Sequence, residues 1–143
     1  MLNFLHQLDK RSNLKVLEIY LRSVYKSKGL VYIPSSVENF VSETITSFDN
    51  NKPQSNLKKI TVTTVEGMYD SNFFPQFDNF PSLTYLQIPI LFTTQTKFKD
   101  FLERLPKLEI LITLSMPFPQ ASVSKEEVKI VLGQFPNLTF FER

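Results

Sequence analysis

Five stretches of the chain repeat one pattern of apolar and polar positions: SNLKVLEIYL from Ser12, SNLKKITVTT from Ser55, PSLTYLQIPI from Pro81, PKLEILITLS from Pro106 and PNLTFFER from Pro136. Each opens with Ser or Pro and a polar residue, then places a leucine, which gives Leu14, Leu57, Leu83, Leu108 and Leu138. Counting that leucine as position 1, apolar residues return at positions 4 and 6: Leu17 and Ile19, Ile60 and Val62, Leu86 and Ile88. The fourth copy keeps Leu111 but has Thr113 at position 6, and the fifth has Phe141 at position 4. From position 4 onward this is the two-residue alternation of a short strand with one buried face. β-Branched residues in these stretches favour strand over helix. The marker leucines lie 43, 26, 25 and 30 residues apart.

Between the strands the apolar period lengthens to that of a helix. Val37, Phe40, Val41, Thr44, Ile45 and Phe48 fall on one helical face, behind Pro34 and an apparent capping box of Ser35 with Glu38. This spacing predicts a helix over 37–48. Phe98, Phe101, Leu102 and Leu105 predict a second, ended by Pro106. Val128, Val131, Leu132 and Phe135 predict a third, opened by Ser124 with Glu127 and ended by Pro136. The stretch 72–80 contains Pro75 and predicts a single turn or irregular coil. Phe4, Leu5 and Leu8 read as the last turns of a helix ahead of the first strand. The long first gap places surplus residues in 23–34, as a loop or small hairpin.

A unit of helix, turn, strand and return loop cannot bury both of its apolar faces alone. Stacked units form a parallel sheet backed by a row of helices. The five phrases resemble the leucine-rich repeat, Leu-x-x-Leu-x-Leu followed by an Asn or Cys position, over nearly the whole chain from Phe4 to Phe141. Unit length and helical return segments look most like the helix-bearing class seen in ribonuclease inhibitor and F-box-type substrate receptors. The Asn or Cys position is occupied here by Arg22, Val65, Leu91 and Met116, so the repeats resemble the divergent kind. The resemblance implies a single α/β domain over 1–143: a right-handed solenoid of about five helix–strand units, sheet concave and helices convex. It also implies a non-catalytic, intracellular and cytoplasmic module that binds a protein partner through the strand face. A narrower version is the repeat part of a ubiquitin-ligase substrate receptor of F-box type.

With positions 4 and 6 inward, positions 3, 5 and 7 point out of the sheet. Toward the C-terminus these positions hold Tyr85, Gln87, Ile110, Ile112, Leu114 and Phe140, the expected partner-binding residues. A contiguous apolar and aromatic patch of this kind marks an interface, to a partner or to a second copy of the chain.

Composition narrows the chemistry. The 143 residues are 42% hydrophobic and 21% charged, an ordinary globular balance for one domain. Sixteen Lys and Arg against 14 Asp and Glu leave +2 without a basic block. The Lys26–Lys28 and Lys58–Lys59 pairs are the densest basic spots, too sparse to predict a nucleic-acid surface. No apolar run is long enough to span a bilayer, and no membrane association is expected. With no Cys, the single His6 and only 3 Gly, neither a metal-ligand set, a Ser–His–Asp triad nor a phosphate-cradling loop can be drawn. The acidic neighbours Glu126–Glu127 fit a first helical turn, and Asp70 near Glu66 has no partner set. No catalytic residue, metal or cofactor is expected.

Overall fold

The computed structural model describes residues 13–19, 30–43, 47–48, 52–63, 73–90, 92–113 and 123–142. The elements among them are β1 (Val16–Ile19), β2 (Leu30–Val31), β3 (Asn39–Ser42), β4 (Ser47–Phe48), β5 (Lys59–Val62), a 3-10 helix (Phe74–Asn79), β6 (Tyr85–Ile88), helix α1 (Gln95–Arg104), β7 (Ile110–Thr113), helix α2 (Lys125–Leu132) and β8 (Thr139–Glu142). The expected N-terminal helix around Phe4 lies outside the described residues.

Six strands form one sheet in the order β1-β3-β5-β6-β7-β8, and every neighbouring pair is parallel. Apart from β2 and β4, which pair with each other, the strand order is the chain order. Such an arrangement requires each connection to cross behind the sheet before the next strand begins. The fold is therefore α/β with a parallel sheet, as the phrases predict.

The predicted helix over 37–48 is not there. Residues 39–42 form β3, inserted between the strands of the first and second phrases. The segment SSVENFVS from Ser35 is thus a sixth copy of the phrase, with Val37 at position 1 and Phe40 at position 4. Its backbone proves the equivalence. In β3, β5, β6 and β7 the amides at positions 2 and 3 both donate to the position-2 carbonyl of the preceding strand. Glu38 and Asn39 reach Lys15, Lys58 and Lys59 reach Glu38, Thr84 and Tyr85 reach Lys58, and Glu109 and Ile110 reach Thr84, all at 2.8–3.0 Å. Glu38, expected to close a capping box, instead extends toward Lys15 on the neighbouring strand, 3.7 Å away. The helical reading failed because positions 1 and 4 of the phrase have the same i, i+3 spacing as a helix face.

Most of the stretch 23–34, expected to hold a loop or small hairpin, lies outside the described residues. Leu30–Val31 pairs in parallel with Ser47–Phe48 in a two-stranded sheet of its own, while 20–29 lie outside the described residues. The connecting segments then change character along the chain: two short strands, the 3-10 helix at 74–79 where a single turn or irregular coil is expected, then α1 and α2 as predicted. Thr94 caps α1 by accepting the Lys97 N–H at 3.1 Å. Ser124 caps α2 by accepting the Glu127 N–H at 3.2 Å, and its hydroxyl donates to Glu127 Oε1 at 3.0 Å.

The core lies between the sheet and these connections. Position-1 residues Val37, Leu57, Leu83 and Leu108, and position-4 residues Phe40, Ile60, Leu86 and Leu111, are all buried. Phenylalanines from the connecting layer fill the rest. Phe48 meets Phe40, Phe73, Phe77 and Phe80 at centroid distances of 4.9–6.4 Å. Phe77 then meets Phe101 at 5.4 Å, Phe101 meets Phe92 at 5.3 Å, and Phe92 meets Phe98 at 4.5 Å. Tilted and edge-on contacts of this sort each add roughly 0.5–1.5 kcal/mol beyond the burial of area. The rings tie successive units into one core.

Side chains in the turns before β3, β5 and β6 bond back to the preceding unit. Ser36 Oγ donates to the Leu14 carbonyl at 2.7 Å, and Asn56 Nδ2 donates to the Ser35 carbonyl at 2.9 Å. Thr84 Oγ1 donates to the Lys58 carbonyl at 3.2 Å. Each bond reaches back one unit and holds the spacing of the stack.

Candidate partner-binding face

The sheet has a second face, turned away from the phenylalanines. Register places Val16, Asn39, Lys59, Tyr85, Ile110 and Thr139 in one row across the strands. Glu18, Val41, Thr61, Gln87, Ile112 and Phe141 form the next. In β3, β5 and β6 the members of these rows are half-buried and alternate with fully buried neighbours, as a sheet with one solvated face requires.

Tyr85, Gln87 and Ile110 stand on this outer face where the sequence places them. Ile112 is also in an outer row, yet only 5% of its surface is exposed. Gln87 and Phe141 flank it in register on either side. It belongs to the floor of the face and offers little surface for contact. Leu114 lies outside the described residues.

Phe140 is on the other side. β8 pairs with β7 one residue out of the phase shared by the other strands, so that Ile110 opposes Thr139 and Leu111 opposes Phe140. Only Thr139, the position-2 residue, donates to the Glu109 carbonyl. A slip of one residue exchanges the two faces of a strand. Phe140 consequently packs against the core, 5.5 Å from the Phe98 ring, while Phe141 turns outward and is 51% exposed. Of the two phenylalanines of β8, Phe141 and not Phe140 is on the face.

At the centre of the face the structure adds a constellation that the apolar reading overlooked. Lys59 Nζ sits 4.3 Å from the centroid of the Tyr85 ring. The Tyr85 hydroxyl donates to Gln87 Oε1 at 3.2 Å. One side chain thus holds the ring at its face and another at its tip. The signal was legible as Lys59 and Tyr85 sharing position 3 of neighbouring strands.

In register with Lys59, Asn39 Oδ1 is buried and has no hydrogen-bond partner among the described residues. An open cleft of about 560 Å³ beside α1 is lined by Asp78, Asp100, Glu103 and Arg104. Within it Arg104 Nη1 donates to Asp78 Oδ2 at 2.7 Å. Among the described residues no group of three His, Asp or Glu could hold a metal ion, and no helix is long and apolar enough to cross a membrane. His6, Asp70, Glu66 and the Lys26–Lys28 pair lie outside the described residues.

No protein-family model, no curated protein and no solved structure matches this chain.

Proposed function

We propose that the chain is a non-catalytic protein-binding module of leucine-rich-repeat type, wound as a right-handed solenoid of six units, which takes its partner on the outer face of the parallel sheet. The observation that carries this reading is the register: six strands in line, each set against the next, so that their outer residues form continuous rows. A row of side chains on a rigid sheet is already ordered before binding, which lowers the entropy lost on association. Tyr85, Ile110 and Phe141 supply the large apolar and aromatic surface that anchors interfaces, and Gln87, Thr61 and Thr139 supply polar contacts around it.

The test is a paired set of surface variants in a search for bound proteins. Tyr85→Ala combined with Ile110→Asp should abolish capture of a specific partner that the wild type retains. Lys97→Glu with Lys129→Glu, on exposed positions of α1 and α2, should leave capture intact. Loss of the partner with the helix variants alone overturns the assignment of the strand face.

A further inference from the structure

We infer that Lys59, Tyr85 and Gln87 form a receptor for a carboxylate, and that the partner segment this face accepts carries an Asp or Glu followed by a large apolar residue. The inference rests on the strand-face reading and specifies the chemistry of what binds there.

Charge is what singles out the position. In the row that runs Val16, Asn39, Lys59, Tyr85, Ile110, Thr139, Lys59 is the one ionisable group of formal charge at neutral pH. In the companion row the one such group is Glu18, which is engaged elsewhere in the structure. Lys59 forms no ion pair with any described residue; its ammonium rests on the Tyr85 ring. A ring face attracts a cation but leaves the outward N–H donors of the ammonium unused. Gln87 accepts the Tyr85 hydroxyl with Oε1, which leaves both donors of its Nε2 without a partner among the described residues. Thr61 lies directly beside Gln87 in register and on the same strand face as Lys59.

The result is a half-buried cluster around one positive charge in which donors outnumber acceptors, the latter being the Tyr85 and Thr61 hydroxyl oxygens and, in register with Lys59, the unpartnered Asn39 Oδ1. Its complement is an anionic acceptor with two oxygens, a carboxylate. Hydrogen bonds to an ionised partner are roughly twice as strong as neutral ones, and holding Lys59 on the ring in advance removes part of the entropy that a free lysine loses on binding.

Beyond Tyr85 the rows become apolar. Ile110 lies two strands from Lys59 and Phe141 lies three, which is about 10 and 14 Å at the usual spacing of strands. An extended segment crossing the strands covers that distance in about three to four residues. The segment therefore reads as an acidic residue over Lys59 and a Leu, Phe or similar side chain three or four positions away, over Ile110 and Phe141.

The experiment is selection of random linear peptides displayed on phage against the whole chain, in parallel against Lys59→Glu and against Lys107→Glu as a control of equal charge in an exposed turn. Thermal unfolding of each variant checks that it folds. The expected result is enrichment on the wild type and on Lys107→Glu of peptides with Asp or Glu three or four residues from a large apolar residue. A synthetic copy of such a peptide should bind Lys59→Glu at least about tenfold more weakly, with affinity falling as salt rises, and Lys59→Glu should itself select Lys or Arg at the acidic position. Peptides that lack an acid, or that bind Lys59→Glu equally while losing affinity to Ile110→Asp, overturn the carboxylate receptor and leave the strand-face reading standing. Absence of any peptide sensitive to substitutions on this face overturns both.

Discussion

The Phe140 ring lies 5.5 Å from that of Phe98, inclined by 57°, and so fastens the last strand to the helix of the preceding unit. Its neighbour Phe141 stands on the opposite side of the same strand. The pair makes the register of β8 measurable. Phe140→Ala should destabilise the protein by about 2 kcal/mol, somewhat less than truncating a fully buried Phe. Phe141→Ala should fall within about 0.5 kcal/mol, as for an ordinary surface position. Urea unfolding of the two variants decides the point, and equal effects would contradict the one-residue slip.

Ile110 and Ile112 share the outer face but differ in exposure, and the same change at each should separate them. Ile110→Asp puts a charge on a half-buried site and should cost about 1 kcal/mol. Ile112→Asp buries a carboxylate at a position only 5% exposed and should cost several kcal/mol, on the order of what removing a partner from a buried charge costs. A thermal or denaturant midpoint for each protein tests this, and a mild Ile112→Asp would show that the floor of the face is open to water.

The ring of Phe48 touches four other phenylalanine rings. Its truncation to Ala should cost about 3–5 kcal/mol, the range for a large buried aromatic. The main-chain N–H of the same residue donates to Gln76 Oε1 at 2.7 Å. Gln76→Ala should therefore add a smaller, separate loss of about 1 kcal/mol. Because one change removes a ring and the other a hydrogen-bond acceptor, equilibrium unfolding of the double variant reveals how far the two are coupled.

Thr94 and Ser124 cap different helices by the same bond, side-chain oxygen to the N–H three residues on. Each change to Ala should lower stability by about 1 kcal/mol. Separate helix ends should contribute almost independently, so the double variant should lose close to the sum. Helix content by circular dichroism and a denaturant titration read both effects.

The parallel sheet was legible because Leu14, Leu57, Leu83 and Leu108 each announce a strand that alternates in the expected phase. Val37 announces another, but a β-branched residue replaced the leucine and Ser42 replaced the apolar residue at position 6. With those marks gone, the remaining Val37–Phe40 interval fits a helix as well as a repeat. Only pairing with β1 and β5 resolves the choice, and pairing is a tertiary property. The phase of β8 was hidden for a similar reason. Phe140 and Phe141 are chemically identical, so no local preference tells which of them faces the core. On the candidate face, Tyr85, Gln87 and Ile110 followed from strand phase alone. The burial of Ile112 depends on the neighbours that strand pairing brings beside it, and the grip of Lys59 on Tyr85 depends on side-chain conformation.

The layer behind the sheet differs in width between its two halves. Strands lie about 4.8 Å apart, and β2 paired with β4 repeats that pitch behind the first half of the sheet. Packed helices need about 8–10 Å between axes, and α1 lies against α2 behind the second half. Front and back therefore share one pitch from β1 to β5, whereas from β6 to β8 the backing is about twice as widely spaced as the strands it supports. On the proposed solenoid reading this mismatch bends the second half of the sheet around Ile110, Ile112 and Phe141, and a convex partner surface is expected there.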